Sequence, residues 1–202
     1  MFDEVGCEEQ ENLKRNTSFA IFEQNMDNMK MKLFLALALV LVAAPACFSQ
    51  DQKENGIKWM SFTEAVSLAQ KSPRKIVIDL YTHWCGWCKR MDATTFRDSG
   101  IAAYVNAHYY AVKLDAETKD SIRFRGQVFV FNPQYKTNEL AVSLLGGNMG
   151  YPNFVFLDET FSLITNISGY QTVEQFAPAL VYFSEDKYKT QSWEEFQKQN
   201  VK

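Results

Sequence analysis

Two cysteines separated by two residues, Cys85-Gly86-Trp87-Cys88, stand between a short β-branched run and a helical stretch, and this placement constrains the fold more than any other feature. The run Lys75 to Tyr81 (KIVIDLY) lacks helical periodicity and reads as a buried strand carrying one anomalous acid, Asp79. The residues after the cysteines predict a helix to about Phe96. A thiol at the start of a helix faces unpaired backbone N–H groups and the positive end of the dipole, and both favour the thiolate. The first cysteine gains most. Cys85 is therefore the expected nucleophile, and Cys88, one turn in and expected to be more covered, the resolving thiol.

Other uses of the pair stay open at this level. A structural disulfide is one, although a loop of two residues constrains the unfolded chain very little. A zinc site would need further ligands, and His83 and His108 complete neither a second C-x-x-C nor an H-x₃₋₅-H pattern, so no metal and no cofactor is expected. Neither histidine is placed in the chemistry: His83 stands too early for a base and His108 falls in a predicted loop. Inert core thiols are the third alternative.

Around the pair the chain predicts alternating elements. Ser61-Phe62-Thr63-Glu64 is a capping box that opens a helix ended by Pro73. Asp98 caps a helix through Asn106, and Tyr109 to Leu114 (YYAVKL) is a second core strand. Residues 122–131 predict a small hairpin, and Asn138 to Leu145 a helix closed by Gly146-Gly147. Asn153 to Leu157 and Phe161 to Ser168 predict a β-hairpin about Asp158-Glu159, followed by a helix from Thr172 to about Phe183. Ser192-x-x-Glu195 opens a short terminal helix. This order implies an α/β fold with a mixed sheet in one domain. With 47% hydrophobic and 22% charged residues, the chain can bury a core.

Charge narrows the partners. Residues 1–28 hold seven acids against Lys14 and Arg15, whereas 51–202 balance 17 acids with 17 bases. No basic stripe is present, so a nucleic-acid partner is not expected. From Met29 the sequence has Lys30 and Lys32, an apolar run from Leu33 to Ala44 and a small-residue exit, the pattern of a secretory signal. The run is too short for a bilayer that needs about 20 residues. Cleavage before Cys47, cleavage before Gln50 and lipid attachment to Cys47 all fit the exit, and membrane contact is expected only with the last. An acidic stretch ahead of a signal is the reverse of the usual basic start, so 1–28 reads as a start-codon artefact, with Met29 or Met31 as the true beginning. The expected organisation is 1–28 extension, 29–50 signal peptide, 51–57 linker, 58–186 core domain and 187–202 helical tail.

The stretch Asp79-Leu80-Tyr81-Thr82-His83-Trp84-Cys85-Gly86-Trp87-Cys88-Lys89 resembles the thioredoxin active-site segment. The longer pattern WCGWCKRMDATTF and YYAVKLDAE, continuing to Gly150-Tyr151-Pro152 and Gly169-Tyr170, resembles exported thioredoxin-like proteins of the thioredoxin-7 or DUF255 type, related to the C-terminal domain of DsbD. The resemblance covers roughly residues 57–185. It implies a thioredoxin fold with an insertion before the cis-proline loop. Asp79 then corresponds to a buried acid that takes the proton of Cys88, and Pro152 to the cis-proline opposite the sulfurs. Trp84, which is expected to shield Cys85, joins Gly86, Trp87, Tyr151 and Pro152 as substrate-binding residues, with Lys89 in support. Trp87 departs from the proline or histidine of better-known relatives, and Tyr151 is larger than usual for its position. Aromatics in the insertion, Phe124, Phe129, Phe131 and Tyr135, either extend the core or cap the groove. The implied activity is an exported thiol–disulfide oxidoreductase that reduces protein disulfides and draws electrons from a membrane thiol donor. The alternative is a non-catalytic thioredoxin-like binding module in the cell envelope.

Overall fold

A computed structural model describes residues 56–200. The expected extension, the signal segment and residues 51–55 of the linker lie outside the described residues, as do Cys7 and Cys47. In chain order the elements are β1 (Trp59–Met60), α1 (Phe62–Lys71), β2 (Lys75–Tyr81), α2 (Gly86–Ala93), α3 (Ser99–His108) and β3 (Tyr109–Asp115). Then come β4 (Ile122–Phe124), β5 (Gln127–Phe129), β6 (Phe131–Asn132), β7 (Thr137–Asn138) and α4 (Glu139–Leu145). The chain closes with β8 (Asn153–Leu157), β9 (Leu163–Ser168), α5 (Val173–Ser184) and α6 (Trp193–Asn200).

Five strands form a mixed sheet in the order β1-β3-β2-β8-β9, with β2 parallel to β3 and antiparallel to β8. β2 lies in the middle, which is why KIVIDLY is apolar on both faces rather than alternating. Its Ile76, Ile78 and Leu80 face a core built with Phe62 and Ala65 of α1 and Leu140 and Leu144 of α4. Val77, on the opposite face, packs with Met91 of α2, Ile101 of α3, and Phe176 and Leu180 of α5. Helices therefore cover both faces, and side-chain alternation puts Asp79 on the same face as Val77, under α2.

The helix starts follow their caps. Asp98 Oδ1 accepts from the Ile101 amide at 2.9 Å, Asn138 Oδ1 from Leu140 at 3.0 Å, and Thr172 forms a complete capping box with Gln175. At Ser61 only the forward half forms, the Glu64 amide donating to Oγ at 3.2 Å. Gly146, at φ 59°, closes α4 in the left-handed conformation.

Several expectations need correction. The edge strand β1 carries no sequence pattern of its own and was not anticipated; it exists because β3 offers it a parallel partner. Ile57 is part of the core rather than of a linker. His108 is the last residue of α3, stacked on Tyr104, and not in a loop. Phe161 is in the turn at φ 64°, so β9 begins only at Leu163. Ser192 does open the terminal helix α6, whose Phe196 is buried against Tyr182 of α5. The insertion between β3 and β8 contains two hairpins, β4–β5 and β6–β7, where one was expected.

Candidate active site

Cys85 is the N-cap of α2, and its Sγ accepts a hydrogen bond from the Cys88 amide at 3.0 Å. The two residues are joined in a disulfide. In the reduced chain the same amide and the other free N–H groups of the first turn would stabilise negative charge on the Cys85 sulfur. Both cysteines are almost fully covered in the disulfide form, Cys85 4% and Cys88 3% exposed. Gly86 is exposed, and a Cβ there would meet nothing, which leaves the approach to the helix start open. Lys89 is exposed on the next turn.

Beneath α2 lies Asp79, 2% exposed. Burial pushes its carboxyl up to about 6, against the pull of Lys113 and with a further push from Asp92. Lys113 is the direct cross-strand neighbour of Asp79 in the β2–β3 register, and its Nζ is 3.3 Å from Asp79 Oδ2. The same ammonium pairs with Asp92 of α2, four residues beyond Cys88 and so on the same helix face. Rings of Trp59, Tyr81 and Phe96 surround it at 5.3 to 5.5 Å. Asp79 Oδ1 is buried with no hydrogen-bond partner among the described residues, leaving one oxygen able to take a proton.

The Tyr151–Pro152 bond is cis. β8 begins at Asn153 opposite Leu80, so this loop and the cysteine loop meet at one end of the sheet. The Pro152 carbonyl is held by the Gly169 amide at 2.8 Å. On one flank the Trp84 ring meets Tyr151 edge-on at 6.0 Å, and its Nε1 donates to Glu117 Oε1 at 2.9 Å. The Trp84 side chain is 67% exposed beside a Cys85 that is almost fully covered. On the other flank Trp87 lies 5.6 Å from Tyr170, and the Arg90 guanidinium sits 5.5 Å from both rings.

Asp79, Cys85 and Cys88 thus share one face of the sheet and the helix above it, with Trp84, Trp87, Tyr151 and Pro152 around the rim. Tyr170 was singled out from the sequence only as part of the Gly169-Tyr170 motif, and Lys113, Asp92, Glu117 and Arg90 were not singled out. Lys113 alone had a signal, a lone cation inside YYAVKL, and its partner depends on strand register. His83 stays outside the centre, its Nε2 3.3 Å from Asp115 Oδ2. In the insertion, Phe124 packs on Phe62 and Phe161, extending the core, whereas Tyr135 stands exposed.

A dithiol pair at a helix start above a buried acid, on a mixed sheet with a cis-proline loop, defines the thioredoxin-fold proteins. Among them the chain belongs to the Thioredox_DsbH family, described as "Protein of unknown function, DUF255", whose model matches residues 40–174. The thiol:disulfide interchange protein DsbD of Yersinia pestis strain Pestoides F is 24% identical over 157 residues, covering 72% of this chain and 24% of the relative. The chain thus spans about a quarter of the length of the curated relatives it matches. A thioredoxin-fold protein from Helicobacter pylori is 16% identical, covers 74% of this chain and 89% of its own, and superposes with a TM-score of 0.51, a likeness of fold. A thioredoxin from Thermus thermophilus is 21% identical over 63% of this chain and 87% of its own, with a TM-score of 0.49. Among the described residues no helix is long and apolar enough to cross a membrane.

Proposed function

We propose that the chain is an exported thiol–disulfide oxidoreductase that reduces disulfides of proteins in the periplasm or cell envelope. The observation that carries this reading is the Cys85 sulfur at the head of α2, receiving the Cys88 amide at 3.0 Å, on the sheet face that also buries Asp79. In the reduced chain the Cys85 thiolate attacks one sulfur of a substrate disulfide, forming a mixed disulfide and releasing the other sulfur as a thiolate. Asp79, ionised above about pH 6, takes the proton of Cys88. The Cys88 thiolate then attacks the Cys85 sulfur, closing the Cys85–Cys88 disulfide and releasing the second substrate thiolate. Two electrons pass from the pair to the substrate, and a membrane thiol donor restores the dithiol.

The substrate segment lies extended along the Tyr151–Pro152 backbone, in the manner of an added strand, between the Trp84 and Trp87 flanks. Reduction rather than oxidation is favoured by the thioredoxin-like flanks and by the lack of histidine between the cysteines. Export rests on Lys30, Lys32 and the apolar run to Ala44. The test is insulin-disulfide reduction: a Cys85→Ser chain should lose it entirely, and retained activity would sink the assignment.

A further inference from the structure

Next to the redox pair, the Trp84–Tyr151 flank continues into a cavity of about 560 Å³, within the range of about 300–1,000 Å³ usual for ligand pockets. Trp84 directly precedes Cys85 and Tyr151 directly precedes the cis-proline, so the cavity opens from the two loops that frame the disulfide. Its opposite wall comes from the insertion: Tyr135 from the β6–β7 turn, Val142 from α4 and Met149 from the loop ahead of Pro152. Tyr135 is 66% and Met149 39% exposed. Single apolar side chains at a surface need no explanation, but several that wall one cavity beside a reactive centre do.

The walls are fixed. The Trp84 indole is held by Glu117, and Glu117 and Lys136 are the two charged side chains of the lining. Asn132 Oδ1 accepts from the amides of Gln134 and Tyr135 at 2.9 and 3.4 Å, and Lys136 turns through φ 52°, so the β6–β7 turn presents Tyr135 to the cavity. The base of that turn is anchored by Thr137, whose Oγ1 donates to the Ala116 carbonyl at 2.8 Å.

We propose that this cavity is a specificity pocket for a bulky apolar side chain two residues from the reactive cysteine of the substrate polypeptide. In an extended strand residues two apart point to the same side, about 7 Å from one another. A substrate cysteine aimed at Cys85 therefore aims its second neighbour along the same face, where Trp84 and Tyr151 lead into the pocket. The proposal rests on the redox reading above and names its substrate class: polypeptides with Phe, Leu or Tyr beside the disulfide.

The test uses the reduced full chain and three disulfide-linked peptides, identical except for Phe, Ser or Asp two residues either side of the cysteine. Each oxidation rate is divided by that peptide's rate with dithiothreitol, which removes differences in intrinsic reactivity, and glutathione disulfide serves as a reference substrate. The Phe peptide should react at least about tenfold faster than the Ser peptide, the equivalent of about 1.4 kcal/mol, and the Asp peptide no faster than Ser. Met149→Glu and Tyr135→Ser should each bring the Phe/Ser ratio close to one. A ratio near one in the parent, with glutathione disulfide still reduced, overturns the pocket and leaves the redox reading standing. A tenfold ratio that both variants retain also overturns it, by locating the preference elsewhere. Failure to react with any disulfide overturns the redox reading and the pocket with it.

Discussion

Replacing Asp79 by Asn exchanges a buried carboxylate for an amide of the same shape, and the structure supplies the sign, size and pH window of the effect. In the fold, burial holds this carboxyl at about 6, against an ordinary 3.8. Between those values the folded chain keeps a proton that the unfolded chain has released, so stability falls as pH rises through the window and the full loss is reached above pH 6. The difference between 6 and 3.8, at about 1.36 kcal/mol per unit, amounts to about 3 kcal/mol. Asparagine carries no charge to desolvate, and Lys113 keeps Asp92 as a partner. The oxidised Asp79→Asn chain should therefore exceed its parent only slightly at pH 4 and by about 3 kcal/mol at pH 8. In urea, with a slope of about 2 kcal/mol/M, the pH 8 midpoint should move up by about 1.5 M. A gain independent of pH would refute the reasoning, and a loss at pH 8 would refute it by showing that the ion pair with Lys113 outweighs the cost of burial.

Lys113→Met removes the charge that pulls Asp79 down, so its carboxyl should rise further, and the pH midpoint of insulin reduction should rise with it. An unmoved profile would separate Asp79 from the resolving step. Cys88→Ser should accumulate mixed disulfides with substrate proteins on non-reducing gels, whereas a module that only binds would accumulate none. Phe154, fully buried against Phe96 and Phe176, should cost about 3–5 kcal/mol on replacement by Ala, read as a lower thermal or urea midpoint.

What the sequence revealed depended on how local the cause was. KIVIDLY announced β2 because burial on both faces leaves an unbroken apolar run, and Ser61, Asp98, Asn138 and Thr172 announced helix starts because a cap acts within three residues. The cysteine pair was legible for the same reason, being a helix terminus written in four letters. β1 was not, since Trp59 and Met60 become a strand only by meeting β3. Lys113 was missed as the partner of Asp79 because parallel register, set by the whole sheet, brings together residues far apart in sequence. The Trp84–Glu117 bond was hidden for a similar reason, since Glu117 comes from beyond β3.

The anchoring of the insertion has an evolutionary and practical consequence. Ala116 receives both the Thr137 hydroxyl and the Asn138 amide, while the Asn138 side chain donates to the carbonyls of Thr118 and Asp120. Thr137 and Asn138 thus button the far end of the segment onto its start at Ala116, Thr118 and Asp120, so that the exposed turn between them is closed off at its base. Doubling the length of such a closed segment adds only about 0.6 kcal/mol of closure entropy. The exposed β6–β7 turn, residues 133–136, therefore behaves as an exchangeable piece: one wall of the cavity beside the cysteines can be rewritten, in a lineage or at the bench, while Ile122 and Phe124 keep the first hairpin in the core and the sheet and the cysteine pair stay as they are.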